Sequence, residues 1–233
     1  MSTEQIGSFT LSTEGAFPLS TDSMLLGAFA SPKPGSCVCD LGCGSGALGF
    51  LMLNRCMDLQ ITGFDCSVSA LQCAEKNIAQ NGLEDRFFTV HADLRELDTL
   101  PNGQFAYAVS NPPYFPSGSG ALRAANTQAA SEDSCSLEEL FQAADRVLRW
   151  SGRFAVVHRP ERLSDLCCCA RAHHLELKRL RFVRHHSDAA PSLLLCEFRK
   201  GGHPGVQYDP DLILHLPDGS PSPEMKAIYH MEG

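Results

Sequence analysis

The run Cys37-Val-Cys-Asp-Leu41 passes without a break into Gly42-Cys-Gly-Ser-Gly46 and then into the helical pattern Ala47-Leu-Gly-Phe-Leu-Met-Leu53. An apolar run, a glycine turn and a helix in that order form the first unit of a doubly wound α/β sheet. The glycines let the chain reverse tightly and let a ligand approach the backbone. The spacing is GxGxG, which differs from the GxGxxG of dinucleotide folds, and either pattern alone is a weak signal. Further strands are expected at Leu59–Asp65, Arg86–His91 and Phe105–Ser110, with a helix from Ser67 to Ala79 stopped by Asn81-Gly82. Asp40, Asp65 and Asp93 stand at the ends of three successive strands. One such acid is ordinarily a cap or loop residue, whereas three beside a glycine turn mark the edge of the sheet where ligands bind. A carboxylate at Asp65 suits the two hydroxyls of a ribose, and Asp93 suits an adenine amine at the rim, with Cys66 and Leu94 as pocket neighbours.

The fourth strand ends in Asn111-Pro112-Pro113-Tyr114. Two prolines carry no backbone N–H and hold their predecessors out of the helical region, so the strand stops abruptly with the Asn111 and Pro112 carbonyls directed outward. Asn111, Pro112, Pro113 and Tyr114 are the candidate catalytic residues, because a rigid acceptor pair beside an aromatic ring suits a planar group with two N–H donors. The amine of adenine, cytosine or guanine and the amide of glutamine all fit that description.

With 233 residues the chain is read as one domain, with a lead-in and pocket-closing helix over 1–35, a core over 36–200 and a surface tail over 201–233. The first sixteen residues are expected to be extended or frayed, and Ser20 or Thr21 to cap a short helix. Phe115 to Ser134 reads as a lid or substrate loop, Ser136 to Leu148 as a capped helix, and Arg153 to His158 as a strand. Leu175–His185 and Ser192–Phe198 read as an antiparallel pair at the sheet edge. No apolar run reaches the ~20 residues that cross a bilayer, and no signal peptide is apparent, so a cytoplasmic protein is expected. Eleven cysteines, three of them adjacent at Cys167–Cys169, read as free thiols in a reducing compartment. Cys37, Cys39 and Cys43 lack metal-ligand spacing, and no metal is assigned.

A net charge of −8 conceals an uneven distribution, since Arg146 to Lys200 holds twelve Lys/Arg against five Asp/Glu. A basic region on an acidic body is compatible with a local footprint on a phosphate backbone, with Arg153, Arg159, Arg162, Arg179, Arg181 and Arg184 as candidate RNA contacts.

Asp40, the glycine turn, Asp65, Asp93 and Asn111-Pro-Pro-Tyr together resemble the class I S-adenosylmethionine-dependent methyltransferases that act on planar amines. Ser20-Thr-Asp-Ser-Met-Leu-Leu-Gly-Ala-Phe29, Asp40 to Gly46, Ser110 to Phe115, His158 to Leu163 and Arg179 to Val183 are similar to the bacterial family that methylates the adenine next to the anticodon of valine tRNA. The resemblance implies a mostly parallel seven-stranded Rossmann-like sheet with an antiparallel edge strand. It implies S-adenosylmethionine at Thr21, Asp22, Asp40, Gly42, Gly44, Gly46, Asp65, Cys66, Asp93, Leu94 and Asn111, and tRNA as the macromolecular partner with no obligate protein partner. Where family members commonly carry Ala-Arg-His-Glu after the loop, this chain has Ala129-Ala-Ser-Glu132.

Other readings share parts of this pattern. A protein glutamine methyltransferase uses the same acceptors but usually carries an N-terminal helical domain, for which the residues before the first strand are too few. A DNA adenine methyltransferase would be expected to carry a separate target-recognition domain. An intact NPPY counts against a binding protein without turnover, which methyl transfer to bulk tRNA would distinguish, and NPPY beside GxGxG serves no hydride chemistry of a nicotinamide dehydrogenase.

Overall fold

The computed structural model describes residues 3–13, 19–113 and 135–229, so Tyr114, the loop to residue 134 and the Ala129–Glu132 word lie outside the described residues. The chain opens with an antiparallel hairpin, β1 (Thr3–Ile6) and β2 (Phe9–Ser12). Of the extended or frayed lead-in expected, the described part is extended and paired, and two carboxamides from a distant helix are the reason. Thr10 N–H donates to Asn81 Oδ1 (3.0 Å) and Asn81 Nδ2 returns a bond to the Thr10 carbonyl (2.9 Å). Ser12 N–H donates to Asn77 Oδ1 (2.7 Å), and Asn77 Nδ2 donates to the Ser12 carbonyl (3.0 Å) and to the Ser45 carbonyl in the glycine turn (3.1 Å). A lone two-stranded ribbon is marginal in water, and these bonds, with Ile6, Phe9 and Leu11 buried beneath it, hold this one in place. Asn77 is fully buried, so Asn77→Ala removes its bonds without giving water access. Urea melts are expected to show a loss of about 2–3 kcal/mol, and a loss under about 0.5 kcal/mol would mean that the carboxamide fastens nothing.

Next come α1 (Thr21–Phe29), β3 (Cys37–Leu41), α2 (Ala47–Arg55), β4 (Gln60–Asp65), α3 (Val68–Gln80), β5 (Phe87–His91) and β6 (Phe105–Ser110). After the undescribed loop follow α4 (Leu137–Val147), β7 (Leu148–His158), α5 (Leu163–Ala172), β8 (Leu175–Arg184), β9 (Pro191–Lys200), β10 (Gln207–Tyr208), β11 (Leu212–Ile213) and α6 (Pro223–Ile228). Ser20 caps α1 by accepting Ser23 N–H (3.1 Å). Ser136 and Glu139 form a reciprocal capping box on α4. Strand β7 starts earlier than the sequence suggests, at Leu148, and kinks at Ser151, whose φ is +65°.

The main sheet runs β10-β8-β9-β7-β6-β3-β4-β5, with β11 also paired to β8. Strands β3 to β7 are mutually parallel, and β9 runs antiparallel to both of its neighbours, β7 and β8. Seven long strands thus give the expected mostly parallel sheet. The tail does more than lie on the surface, because β10 and β11 pair in parallel with β8 and occupy its otherwise open edge, while Leu212, Leu214 and Met225 are buried.

Alternation along the strands divides the core. Val38, Tyr107, Val109, Ala155 and Val157 pack with the hairpin, α1 and α2 on one face. Cys39, Ala108, Phe154 and Val156 pack with α4 and α5 on the other. Helices on both faces leave the C-terminal ends of the parallel strands as the rim on which a ligand can settle. All eleven cysteines are free thiols. Among the described residues no helix is long and apolar enough to cross a membrane.

Candidate active site

Two carboxylates converge on the glycine turn. Asp65, at the tip of β4, accepts Gly44 N–H on Oδ2 (2.8 Å) and Ser67 N–H on Oδ1 (2.9 Å), so it shapes the turn and the start of α3 together. Asp40 is fully buried at the end of β3, and neither of its carboxylate oxygens has a hydrogen-bond partner among the described residues. Burial, and secondly the charge of Asp65, pushes the Asp40 carboxyl up to about 8. Gly42 and Gly44 have φ of +80° and +55°, and a Cβ on either would meet no atom of the described residues within 4 Å. The turn therefore presents bare backbone to open space with negative charge behind it, a cradle suited to a ligand that carries positive charge. At Gly46, also expected in this pocket, a Cβ would meet the rings of Phe87 and Phe50.

The second half of the site lies one strand away. Strand β6 is the direct neighbour of β3, so Asn111 emerges beside the glycine turn. Ser110 Oγ donates to the Leu41 carbonyl (2.7 Å), locking the last residue of β6 to the end of β3. Asn111 Nδ2 donates to Ser23 Oγ (2.9 Å) and Ser20 Oγ (3.3 Å), both in the first turn of α1. Pro112 is half-buried and Pro113 exposed. Ser20 was legible only as a capping residue, and Ser23 had no role assigned to it. Their reach to Asn111 spans some ninety positions and leaves no local signal.

The remaining expected pocket residues are distributed around this rim. Thr21 and Asp22 share the first turn of α1 with those serines, and Thr21 Oγ1 accepts the Tyr229 hydroxyl (3.1 Å). Cys66 follows Asp65 and is exposed, and its carbonyl bonds His91 Nε2 (3.0 Å). Asp93 is gripped by Arg95 through Nε (2.9 Å to Oδ1) and Nη2 (2.6 Å to Oδ2), and these bonds hold its carboxyl below the usual range. Leu94 packs against the α4–α5 layer. His158, at the end of β7 beside β6, is a buried group that sequence reading left without a role. Its Nδ1 accepts Arg159 N–H (2.8 Å), and burial, followed by the Arg162 and Arg159 charges, pulls the imidazole down to about 4, so it is neutral near pH 7.

The six arginines expected to face RNA do not converge on Asn111. Arg153 pairs in register with Tyr107, four residues short of Asn111 along β6, and neutralises the buried Glu197, which also accepts the Tyr107 hydroxyl (2.5 Å). A carboxylate removed from water requires such a partner. Arg179, Arg181 and Arg184 lie on β8, three strands from β6, and pair with Asp209 (2.6 Å), Glu224 (2.6 Å) and Asp211 (2.5 Å) of the tail. Arg153, Lys178 and Arg179 line a cleft of about 420 Å³ against Gly205–Gln207. Arg159 and Arg162 alone of the six follow directly from the tip of β7, next to Asn111; they bond the Ser192 carbonyl (3.2 Å) and Asp165 respectively.

Comparison with known proteins is consistent with this arrangement. Residues 20–165 match the family described as methyltransferase small domain. A tRNA1(Val) (adenine(37)-N6)-methyltransferase of Porphyromonas gingivalis strain ATCC 33277 is 31% identical over 219 residues, which cover 90% of this chain and 86% of the relative. The protein of that name from Vibrio parahaemolyticus is 30% identical over 207 residues, covering 88% and 84%. Among solved structures, one described as a predicted O-methyltransferase from Agrobacterium tumefaciens superposes with a TM-score of 0.72 at 17% identity, covering 90% of this chain and 96% of that one. A geranyl diphosphate methyltransferase in complex with SAM gives 0.58 at 13% identity, covering 76% and 84%. The likeness to the solved structures establishes the shared fold, and the identity to the curated relatives across most of both chains establishes kinship: this chain carries a methyltransferase small domain and belongs to the tRNA1(Val) (adenine(37)-N6)-methyltransferase family.

Proposed function

We propose that this protein transfers a methyl group from S-adenosylmethionine to the N6 amine of adenine 37 in tRNA1(Val), as a cytoplasmic enzyme that needs no protein partner. The observation that carries this reading is the Asn111 carboxamide, fastened by its nitrogen beside a glycine turn that faces open space. Asp40 and the bare backbone at Gly42 and Gly44 fit a cationic cofactor, since a buried carboxylate without a partner gains one when positive charge arrives. Asp65 would accept the ribose hydroxyls on lone pairs not used by Gly44 and Ser67, and Thr21, Asp22, Cys66, Asp93 and Leu94 would close the pocket around the rest. When bound, the cofactor supplies an electrophilic methyl group on a sulfonium.

The protein's own work is to make a poor nucleophile competent. The lone pair of an adenine amine is delocalised into its ring. Accepting the two N–H bonds at Asn111 Oδ1 and the Pro112 carbonyl returns electron density to nitrogen, and Tyr114 would stack on the base. Fixing that nitrogen at Asn111 and Pro112, facing the cofactor cradle, would supply much of the acceleration by orientation alone. The methylated nitrogen is acidic enough to give its proton to water, so a dedicated base is unnecessary; His158, with its depressed basicity, is poorly suited to be one. The adenine must leave its stack, at a cost of a few kcal/mol that is smallest in a loop. Arg159 and Arg162, which follow the tip of the strand next to β6, would take the flanking phosphates.

The test uses the isolated protein, S-adenosylmethionine and a tRNA1(Val) transcript, with nucleosides read by mass spectrometry. One N6-methyladenosine per tRNA is expected, and none when adenine 37 is replaced by guanine. Methylation that survives this replacement would move the target elsewhere, and none on any tRNA would remove the reading.

A further inference from the structure

The Asn111 carboxamide has two chemically opposite ends, and only the oxygen can accept an amine N–H. A primary amide can turn about its last bond, and the turned form would direct two N–H donors at the donors of the substrate. Something must therefore choose the orientation, and the choice must be made where water cannot compete. Ser23 is 9% exposed on α1, and its hydroxyl oxygen takes Asn111 Nδ2–H at 2.9 Å. Its hydroxyl also bonds Ser20 Oγ at 3.1 Å, and Ser20 Oγ in turn accepts Ser23 N–H (3.1 Å) and, at a longer 3.3 Å, Asn111 Nδ2–H.

The helix bearing these hydroxyls is fixed at its far end as well. Arg55 Nη1 donates to the carbonyls of Gly27 (2.5 Å) and Ala30 (2.9 Å). Arg179 donates to the Phe29 carbonyl (3.2 Å) with its guanidinium 4.0 Å above the Phe29 ring. Cations on the last carbonyls of a helix oppose its dipole and resist sliding. The first turn of α1 is thus a fixed support on which the amide nitrogen rests, and its serines are there for the amide as well as for the helix.

We infer that Ser23 is a positioning residue for methyl transfer, setting through its hydroxyl which end of the Asn111 carboxamide meets the substrate amine. The inference rests on the functional reading above and adds a residue that acts through Asn111. Ser20 serves the same network but also caps α1, so its removal would mix two effects; Ser23 isolates one. Alanine at position 23 keeps the helix, because alanine is the strongest helix former.

The experiment is a double-mutant cycle on kcat in single-turnover methylation of the tRNA1(Val) transcript, with S-adenosylmethionine affinity and Tm measured for each protein. Ser23→Ala is expected to lower kcat about tenfold, to leave the cofactor Kd within twofold, and to move Tm by no more than about 3 °C. In an Asn111→Ser background the same substitution should change kcat by less than twofold, since no carboxamide remains to orient. A merely structural serine would move Tm and affect kcat equally in both backgrounds. That result, an unchanged kcat in Ser23→Ala alone, or a loss confined to cofactor Kd, overturns the inference while leaving the functional reading intact. A wild-type protein that methylates no adenine in any tRNA overturns both.

Discussion

Asn111→Ala is expected to lower the rate of methyl transfer by about 10²–10³-fold while leaving S-adenosylmethionine affinity within about threefold. The size follows from removing one preorganised hydrogen-bonding group at the point where charge develops. The asymmetry between rate and affinity follows from geometry, because Asn111 is held by α1 and the cradle is formed by Asp40, Asp65 and the glycine turn. Asn111→Asp should retain more activity than alanine. A carboxylate oxygen still accepts an N–H from the substrate amine, whereas a methyl group accepts none. Rates from single turnover, set beside cofactor titration, distinguish these outcomes. An alanine variant as fast as wild type would end the acceptor-pair mechanism.

The second large effect concerns Asp40. Its carboxyl lies at about 8 in the folded protein against 3.8 for an ordinary aspartate, so the folded state holds this proton more tightly than the unfolded chain does. The contribution of Asp40 to stability is therefore highest below about pH 4, declines as pH rises towards 8, and levels off above it. At about 1.4 kcal/mol for each tenfold change in proton affinity, the decline amounts to up to about 6 kcal/mol. Unfolding free energies of wild type and Asp40→Asn, measured by urea at several values between pH 5 and 8, should converge or cross as pH rises, because only the wild type carries this slope. Saturating S-adenosylmethionine should flatten the wild-type slope, as a positive ligand allows Asp40 to ionise without penalty. Parallel slopes for the two proteins would show that Asp40 is not protonated in the free protein.

What the sequence disclosed and what it concealed divides along the range of the interactions. Strands β3 to β6, their terminal acids and the glycine turn are each specified within a few residues, by apolar runs, turn chemistry and prolines, and they stand where local reading put them. The paired strands β8 and β9 were legible for the same reason. The hairpin was not, because what converts a polar lead-in into β1 and β2 is a pair of asparagines more than sixty residues downstream, one of which reads locally as a helix stop. Arginines mislead in a similar way. A count of charges finds a basic region between Arg146 and Lys200, but the partners of Arg179, Arg181 and Arg184 arrive only after Lys200, and Glu197 meets Arg153 across strands.

The two termini are secured by forces that answer differently to the solvent. Neutral amides clasp the leading ribbon, and neither added salt nor acid weakens them appreciably. Guanidinium–carboxylate pairs clasp the trailing strands, and these are loosened by ionic strength and by protonation of the acids. A wash strong enough to strip bound nucleic acid from this protein therefore tugs at one extremity and spares the other, so a signal of loosening under such conditions should be sought first around Gln207 to Ile228.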